Sequence, residues 1–294
     1  MDKIIEEFVK LIPLAPILEH WGMTKEASAA ASFILLAVSV YGLIHLVKFI
    51  ANGYKNEKTA KDLAPHFDYQ KVKMSRDLFI PTQWQQFSPT HEEEPSFSGS
   101  YVAKVPLIPH FLNNAFDEKK ESQKFYLVLA DSGMGKTTFM INLYVQYTSF
   151  FNFSKKYKIK LLPFGDTRIL EHIKEIKSEE AKNTILLLDA FDEYKGLLPP
   201  EVPDGLTDEM RFRKKLDEII ETVRDFREVV ITSRTQYFPG QEHKPYELNI
   251  PRFDDKGFHT LAKLYISPFN NQEIKRYLDK KYGILKFWNW KRKK

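Results

Sequence analysis

The chain has 294 residues, 43% of them hydrophobic, enough for one globular core of about 150–200 residues plus accessory segments, which excludes a disordered chain. The net charge is +5, but residues 275–294 alone carry +8 and leave −3 for the rest, so the basic character is a tail property and no specific nucleic-acid partner is expected. Cysteine is absent, which excludes disulfides and thiolate metal sites, and the eight histidines stand without ligand spacing, so no structural metal is expected.

Residues 2–20 place Ile4, Ile5, Phe8, Leu11 and Ile12 near one side of a short helix that Pro13 and Pro16 interrupt. Such a helix fits the outer face of a membrane or a packing surface equally well. From Ala27 to Val47 run 21 residues without Asp, Glu, Lys or Arg, bounded by Glu26 and Lys48. At about 1.5 Å per residue they match a hydrocarbon core of about 30 Å, so this segment is expected to be a transmembrane helix surrounded by lipid. A buried core helix rarely runs this long without a charged face. A cleaved signal peptide would be shorter and preceded by basic rather than acidic residues. Residues 1–26 carry three Lys against five acids, whereas Lys48, Lys55, Lys58 and Lys61 crowd the other flank, so the positive-inside rule puts the C-terminal bulk in the cytoplasm.

Residues 48–119 mix Lys, Pro, Ser and acids, with a polar, turn-prone run from His91 to Pro95, and predict a linker with docked pieces such as Leu78, Phe79 and Ile80. Beyond residue 120 short apolar runs alternate with helix-length segments. The runs are Phe125 to Leu129, Ile159 to Phe164, Thr184 to Leu188, Val229 to Thr232 and Leu264 to Ile266. That alternation predicts a mainly parallel sheet covered on both faces.

Directly after the first of these runs stand Ala130, Asp131, Ser132, Gly133, Met134, Gly135, Lys136, Thr137 and Thr138, followed by an apolar helical stretch. This is a phosphate-binding loop of the form (A/G)-x4-G-K-(S/T), with Ala130 at the usual first glycine. Gly133 and Gly135 let backbone N–H groups turn inward around phosphates, and the helix from Lys136 points its positive end at them. Lys136 is expected on the β and γ phosphates, and the Thr137 hydroxyl on Mg²⁺. Fifty-three residues beyond Lys136, an apolar run ends in Asp189. Its carboxylate is expected at the sheet's C-terminal edge, holding the Mg²⁺ hydration shell, with Glu193 placed to orient or deprotonate water. A third run, ending in Thr232, Ser233 and Arg234, puts Arg234 beside the γ-phosphate, with Thr232 or Ser233 positioning water.

Together, residues 130–138, the run Leu186 to Glu193 and Thr232 to Arg234 resemble the NACHT branch of the STAND signalling ATPases, particularly bacterial NACHT proteins. The run from Leu264 to Leu278 is similar to that branch's passage into its next helical subdomain, so the likeness covers roughly residues 120–285. The resemblance implies an α/β P-loop NTPase, a three-layer sandwich with a mainly parallel five-stranded sheet over residues 120–268, preceded by the transmembrane helix and followed by the start of a helical subdomain and a basic tail at 269–294. It further implies an additional strand between the phosphate-loop strand and the Asp189 strand, ATP and Mg²⁺ as cofactors, and a switch between closed and open states. Asp192 and Glu193 fall on the family's paired acidic positions, and Ala190 stands where the family often has Gly. The family's winged-helix lid, that lid's nucleotide-contacting histidine and the sensor repeats are missing from this sequence, so slow hydrolysis is expected, with a homo-oligomer or full-length NACHT relatives as partners. The resemblance extends to bacterial defence or stress signalling. A nucleotide-binding interaction module without turnover is the alternative, and GTP is disfavoured because no Asn-Lys-x-Asp run is present to read guanine.

Overall fold

The computed structural model describes residues 20, 22, 24–86, 88–89, 104–116, 123–149, 156–197, 207–237, 246–251 and 258–291. The expected short helix before residue 20 and the turn at His91 to Pro95 lie outside the described residues. The chain divides into two units, Met1–Thr59 and Ala60–Lys294.

The first unit is dominated by helix α1 (Lys25–Asp62), which extends well past the expected end at Val47. Large apolar side chains from Ile34 to Ile50, including Val38, Tyr41, Leu43 and Phe49, stand exposed on all sides of it. Leu36–Asp62 is long and apolar enough to cross a membrane by length and composition. The helix runs on because Phe49, Ile50, Ala51 and Ala60 are helix-compatible and no Gly-Pro pair interrupts the Lys-bearing flank.

The second unit is an α/β layered structure. Its elements are α2 (Tyr69–Asp77), β1 (Gln83–Gln85), β2 (Val105–Pro106), α3 (Leu107–His110) with a π-helical turn at Phe111–Ala115, β3 (Phe125–Leu129), α4 (Lys136–Tyr147), β4 (Lys158–Pro163), α5 (Ile169–Lys174) and α6 (Ser178–Ala181). They continue as β5 (Thr184–Asp189), α7 (Asp208–Thr222), β6 (Glu228–Ser233), β7 (Tyr246–Pro251), β8 (Phe258–Ile266) and α8 (Asn271–Lys291). The sheet runs β2-β1-β8-β3-β6-β5-β4, with β7 also paired to β8. Strands β8, β3, β6, β5 and β4 are mutually parallel, while β1, β2 and β7 join antiparallel.

The sheet therefore has eight described strands rather than five. The three additional strands are too short or too polar to announce themselves by apolar runs: β1 is Gln-Trp-Gln and β7 includes Glu247 and Asn249. The extra strand between β3 and β5 is β6, which pairs with both.

Side-chain alternation places the core. Tyr126 and Val128 of β3, Ile185 and Leu187 of β5 and Val230 of β6 pack on one face with Phe139, Ile141 and Leu143 of α4 and Val72 of α2. Phe125, Leu127 and Leu129 of β3, Leu186 and Leu188 of β5 and Val229 and Ile231 of β6 pack on the other, against Ile169 and Ile173 of α5 and Phe212, Leu216, Ile219 and Ile220 of α7. With both faces covered, β3, β5 and β6 bury every side chain and read as nearly continuous apolar runs. Ile80, expected as a docked piece, is buried, and more of the stretch expected to be a linker belongs to this unit: Leu63, Phe67, Val72, Leu107, Ile108 and Phe111 are buried too. They are too widely spaced to show a period and find their partners only in the folded unit.

Candidate functional site

The site grows from the C-terminal ends of β3, β5 and β6. Leu129 is followed by Ala130, whose N–H donates to the Ser233 carbonyl at 3.2 Å, so the loop leaves the sheet still tied to β6. Ala130 is buried in the core cluster on the α4 face, and its methyl group needs no glycine at that position. Gly133 (φ 81°) and Gly135 (φ 86°) both occupy the left-handed region, which a side chain would strain. Gly135 is the N-cap of α4 and offers no side-chain cap, so the first N–H groups of that helix remain available as donors. The helix end therefore combines free donors with the positive end of the helix dipole.

Lys136 folds over this loop, its ammonium donating to the carbonyls of Ala130 (2.9 Å) and Asp131 (3.2 Å). Burial pulls its pKa below the ordinary lysine value, while Asp192 and Asp189 oppose the shift. Thr137, one residue on, hydrogen-bonds the Asp189 side chain. Met134 closes the tip, its sulfur accepting from the Asp131 N–H at 3.3 Å, and Thr138 lines the adjoining cavity.

Asp189 ends β5 and is only 2% exposed. Burial raises its carboxyl above the usual range, an effect opposed by hydrogen bonds from Thr137 and Thr232. Thr232 donates to Asp189 Oδ1 at 2.7 Å and accepts the Ala190 N–H at 2.8 Å. Expected to position water, Thr232 and Ser233 are instead fully buried. Because β6 lies between β3 and β5, its inward side chains meet the Asp189 carboxylate rather than solvent, and Thr232 positions that carboxylate. A β-branched residue in an apolar strand carries no mark of such a role.

After Asp189 the backbone turns sharply at Ala190 (φ 60°, ψ 59°), the one non-glycine residue with positive φ among the described residues. The turn sends Asp192 and Glu193 in different directions. Asp192 points inward, its side chain 3% exposed, with Oδ2 2.7 Å from Arg234 Nε and Oδ1 buried without a hydrogen-bond partner. Glu193 is exposed and rests against the turn after β4, where a β-carbon on Gly165 would lie 3.4 Å from its Oε2. Arg234, expected to reach for a γ-phosphate, is held by Asp192.

Beside the loop opens a cavity of about 630 Å³. Gly133, Met134 and Gly135 form its floor, Met74 and Ser75 of α2 one wall, and Phe269, just before α8, with Ile274 and Tyr277 of α8 another. The wall from α2 was not legible in the sequence, since nothing in residues 69–77 marks them as site-forming. Asn142 of α4 ties that wall down, its amide donating to the Ser75 carbonyl at 2.9 Å.

No protein-family model matches this chain, and no curated protein matches it. Among solved structures the chain is similar to one from the E. coli MS115-1 HORMA:CdnC:Trip13 complex, at 15% identity and a TM-score of 0.33, over 60% of this chain and 65% of that one. It is also similar to the Thermotoga maritima RuvB Holliday junction branch migration motor, at 12% identity and a TM-score of 0.31, over 60% of this chain and 50% of that one.

Proposed function

We propose that this chain is a P-loop nucleoside triphosphatase of the NACHT-type STAND class, anchored in a membrane by α1, which binds ATP with Mg²⁺ and hydrolyses it slowly as a signalling switch. The observation that carries this is the convergence at one sheet edge of the uncapped α4 N-terminus, Lys136, and a Thr137–Asp189 hydrogen bond spanning the intervening strand. A threonine hydroxyl and a carboxylate are oxygen donors suited to Mg²⁺, and the buried, partnerless Oδ1 of Asp192 adds an acceptor facing the same edge. Bound there, the metal would neutralise phosphate charge. Thr137 and Asp189 would hold it, and Lys136 would leave the loop carbonyls for the β and γ phosphates. The cavity beside Gly133 and Met134 has room for a nucleoside.

Glu193, exposed at the rim, is the residue to accept a proton from water, and Asp192 holds Arg234 in place. That ion pair favours slow turnover, because an arginine held by a carboxylate contributes less to a charged phosphate. It equally favours the second reading, a nucleotide-binding interaction module without turnover. The charge asymmetry flanking α1 supports a cytoplasmic second unit.

Nucleotide titration of wild type and Lys136→Ala tests the assignment: the variant loses ATP binding while keeping its fold, and equal affinity in the two would refute it. Phosphate release from Glu193→Gln then separates the readings. A slower rate with unchanged binding supports hydrolysis, and an absence of turnover in both proteins supports the binding module.

A further inference from the structure

Three residues from separate segments meet at the end of β4. His66 lies just after α1, Asp166 in the turn between β4 and α5, and His172 within α5. His66 Nδ1 and His172 Nε2 each stand 3.3 Å from the same oxygen, Asp166 Oδ2. All three atoms lie within 4.8 Å of one another. Asp166 Oδ1 is already occupied, accepting the Arg168 N–H at 2.9 Å, and this fixes the carboxylate with Oδ2 turned to the two imidazoles.

The distances are informative. A charge-assisted N–H to carboxylate bond closes to about 2.7–2.9 Å. Ligands about 2.0–2.1 Å from a tetrahedral zinc ion stand about 3.3 Å from each other, as both nitrogens do from Oδ2. Neutral imidazoles with one carboxylate form the donor set that suits zinc and its neighbours rather than Mg²⁺ or Ca²⁺. The side chains are 13%, 18% and 29% exposed, so the cluster is held in place yet open to solvent on one side, where a fourth ligand can enter. The other ring nitrogen of His172 faces the Glu175 carboxylate at 3.8 Å, an outer group of the kind that orients ligating histidines.

We propose that His66, Asp166 and His172 form a transition-metal site, with Zn²⁺ as its occupant and an open fourth position, which clamps the segment around His66 to the turn between β4 and α5. The expectation of no metal followed from linear spacing, which cannot show ligands this far apart in sequence. Since Gly165 adjoins Asp166 and supports Glu193, the clamp would also stiffen the turn on which Glu193 rests. The site is independent of Lys136 and of whether nucleotide binds.

Titrating Co²⁺ into the full, tag-free chain in detergent micelles tests this, because tetrahedral Co²⁺ absorbs visible light far more strongly than octahedral Co²⁺. Wild type and Lys136→Ala should each develop the strong band with one equivalent and lose it when Zn²⁺, but not excess Mg²⁺, is added. His66→Ala and His172→Ala should lose the band, and Asp166→Asn should bind at least about tenfold more weakly. If circular dichroism shows that His66→Ala has unfolded, His172→Gln on the part-exposed face of α5 decides alone. Absence of the band in wild type, or its survival in the folded histidine variants, would overturn the proposal.

Discussion

Replacing Thr232 by Val keeps the shape of a fully buried side chain and removes only its hydroxyl. In the native protein that hydroxyl donates to Asp189 Oδ1 and accepts the Ala190 N–H. A hydrogen bond to a charged carboxylate contributes about 1.5–3 kcal/mol, and a buried N–H left without an acceptor costs about 1–3 kcal/mol. Thr232→Val should therefore destabilise by about 3–5 kcal/mol, which for a domain of this size lowers Tm by about 10 °C. Losing one of the two donors that oppose the burial effect also moves the Asp189 carboxyl further upward, so the loss of Mg²⁺-dependent nucleotide binding should grow as pH falls. Thr232→Ser keeps the hydroxyl and loses one buried methyl group, at about 1 kcal/mol. Thermal melts of the three proteins in one mild detergent provide the comparison. A Val variant within about 0.5 kcal/mol of wild type, or a Ser variant as unstable as Val, would refute the account of Thr232 as the group that holds Asp189.

Ala190 adopts φ 60°, a conformation that costs an L-residue about 1 kcal/mol and glycine nothing, so Ala190→Gly should raise Tm by about 2 °C after the entropic cost of glycine; a fall would show that the methyl group packs favourably. Glu228 is buried and its carboxyl is raised from 4.5 to about 8, so the folded state retains a proton that the unfolded chain releases. Stability should decline between about pH 4.5 and 8, by a few kcal/mol at most, and Glu228→Gln should flatten that decline in denaturant titrations. Lys124, lowered to about 8 by burial, acts in the opposite direction and only above that pH. For the first unit, 1 M salt should leave the full chain with the membrane fraction while detergent releases it, since salt screens a basic tail but not an apolar helix; release by salt alone would make the tail the anchor.

The parts of this protein legible in its sequence are those where one residue type does a local job. The glycines of the phosphate loop need positive φ, Lys136 follows them at fixed spacing, and the β5 run ends in a carboxylate where the strand ends. Strands β3, β5 and β6 are legible because burial on both faces makes them nearly continuously apolar, whereas β4 and β8 show only shorter apolar stretches. What escaped notice depends on neighbours distant in the chain. Thr232 matters only because β6 lies beside β5, and the α2 wall of the cavity only because α2 packs on α4. Asp192 and Glu193 are neighbours in sequence on paired acidic positions, and the turn at Ala190 is what separates their directions.

The position of β3 has a consequence for synthesis. The strand that carries the phosphate loop is flanked by β6 on one side and β8 on the other, and β8 is the last of the described strands in chain order. Residues Phe125 to Leu129 pair along their whole length with Leu261 to Tyr265, so on the ribosome β3 emerges long before its second neighbour exists. Until β8 emerges, one side of β3 is an open edge of unpaired donors and acceptors flanked by apolar side chains, the kind of surface that chaperones shield. The cavity wall contributed by Phe269, Ile274 and Tyr277 follows later still. Nucleotide binding should therefore be acquired only once β8 and the start of α8 have emerged, rather than grow as the earlier strands are laid down.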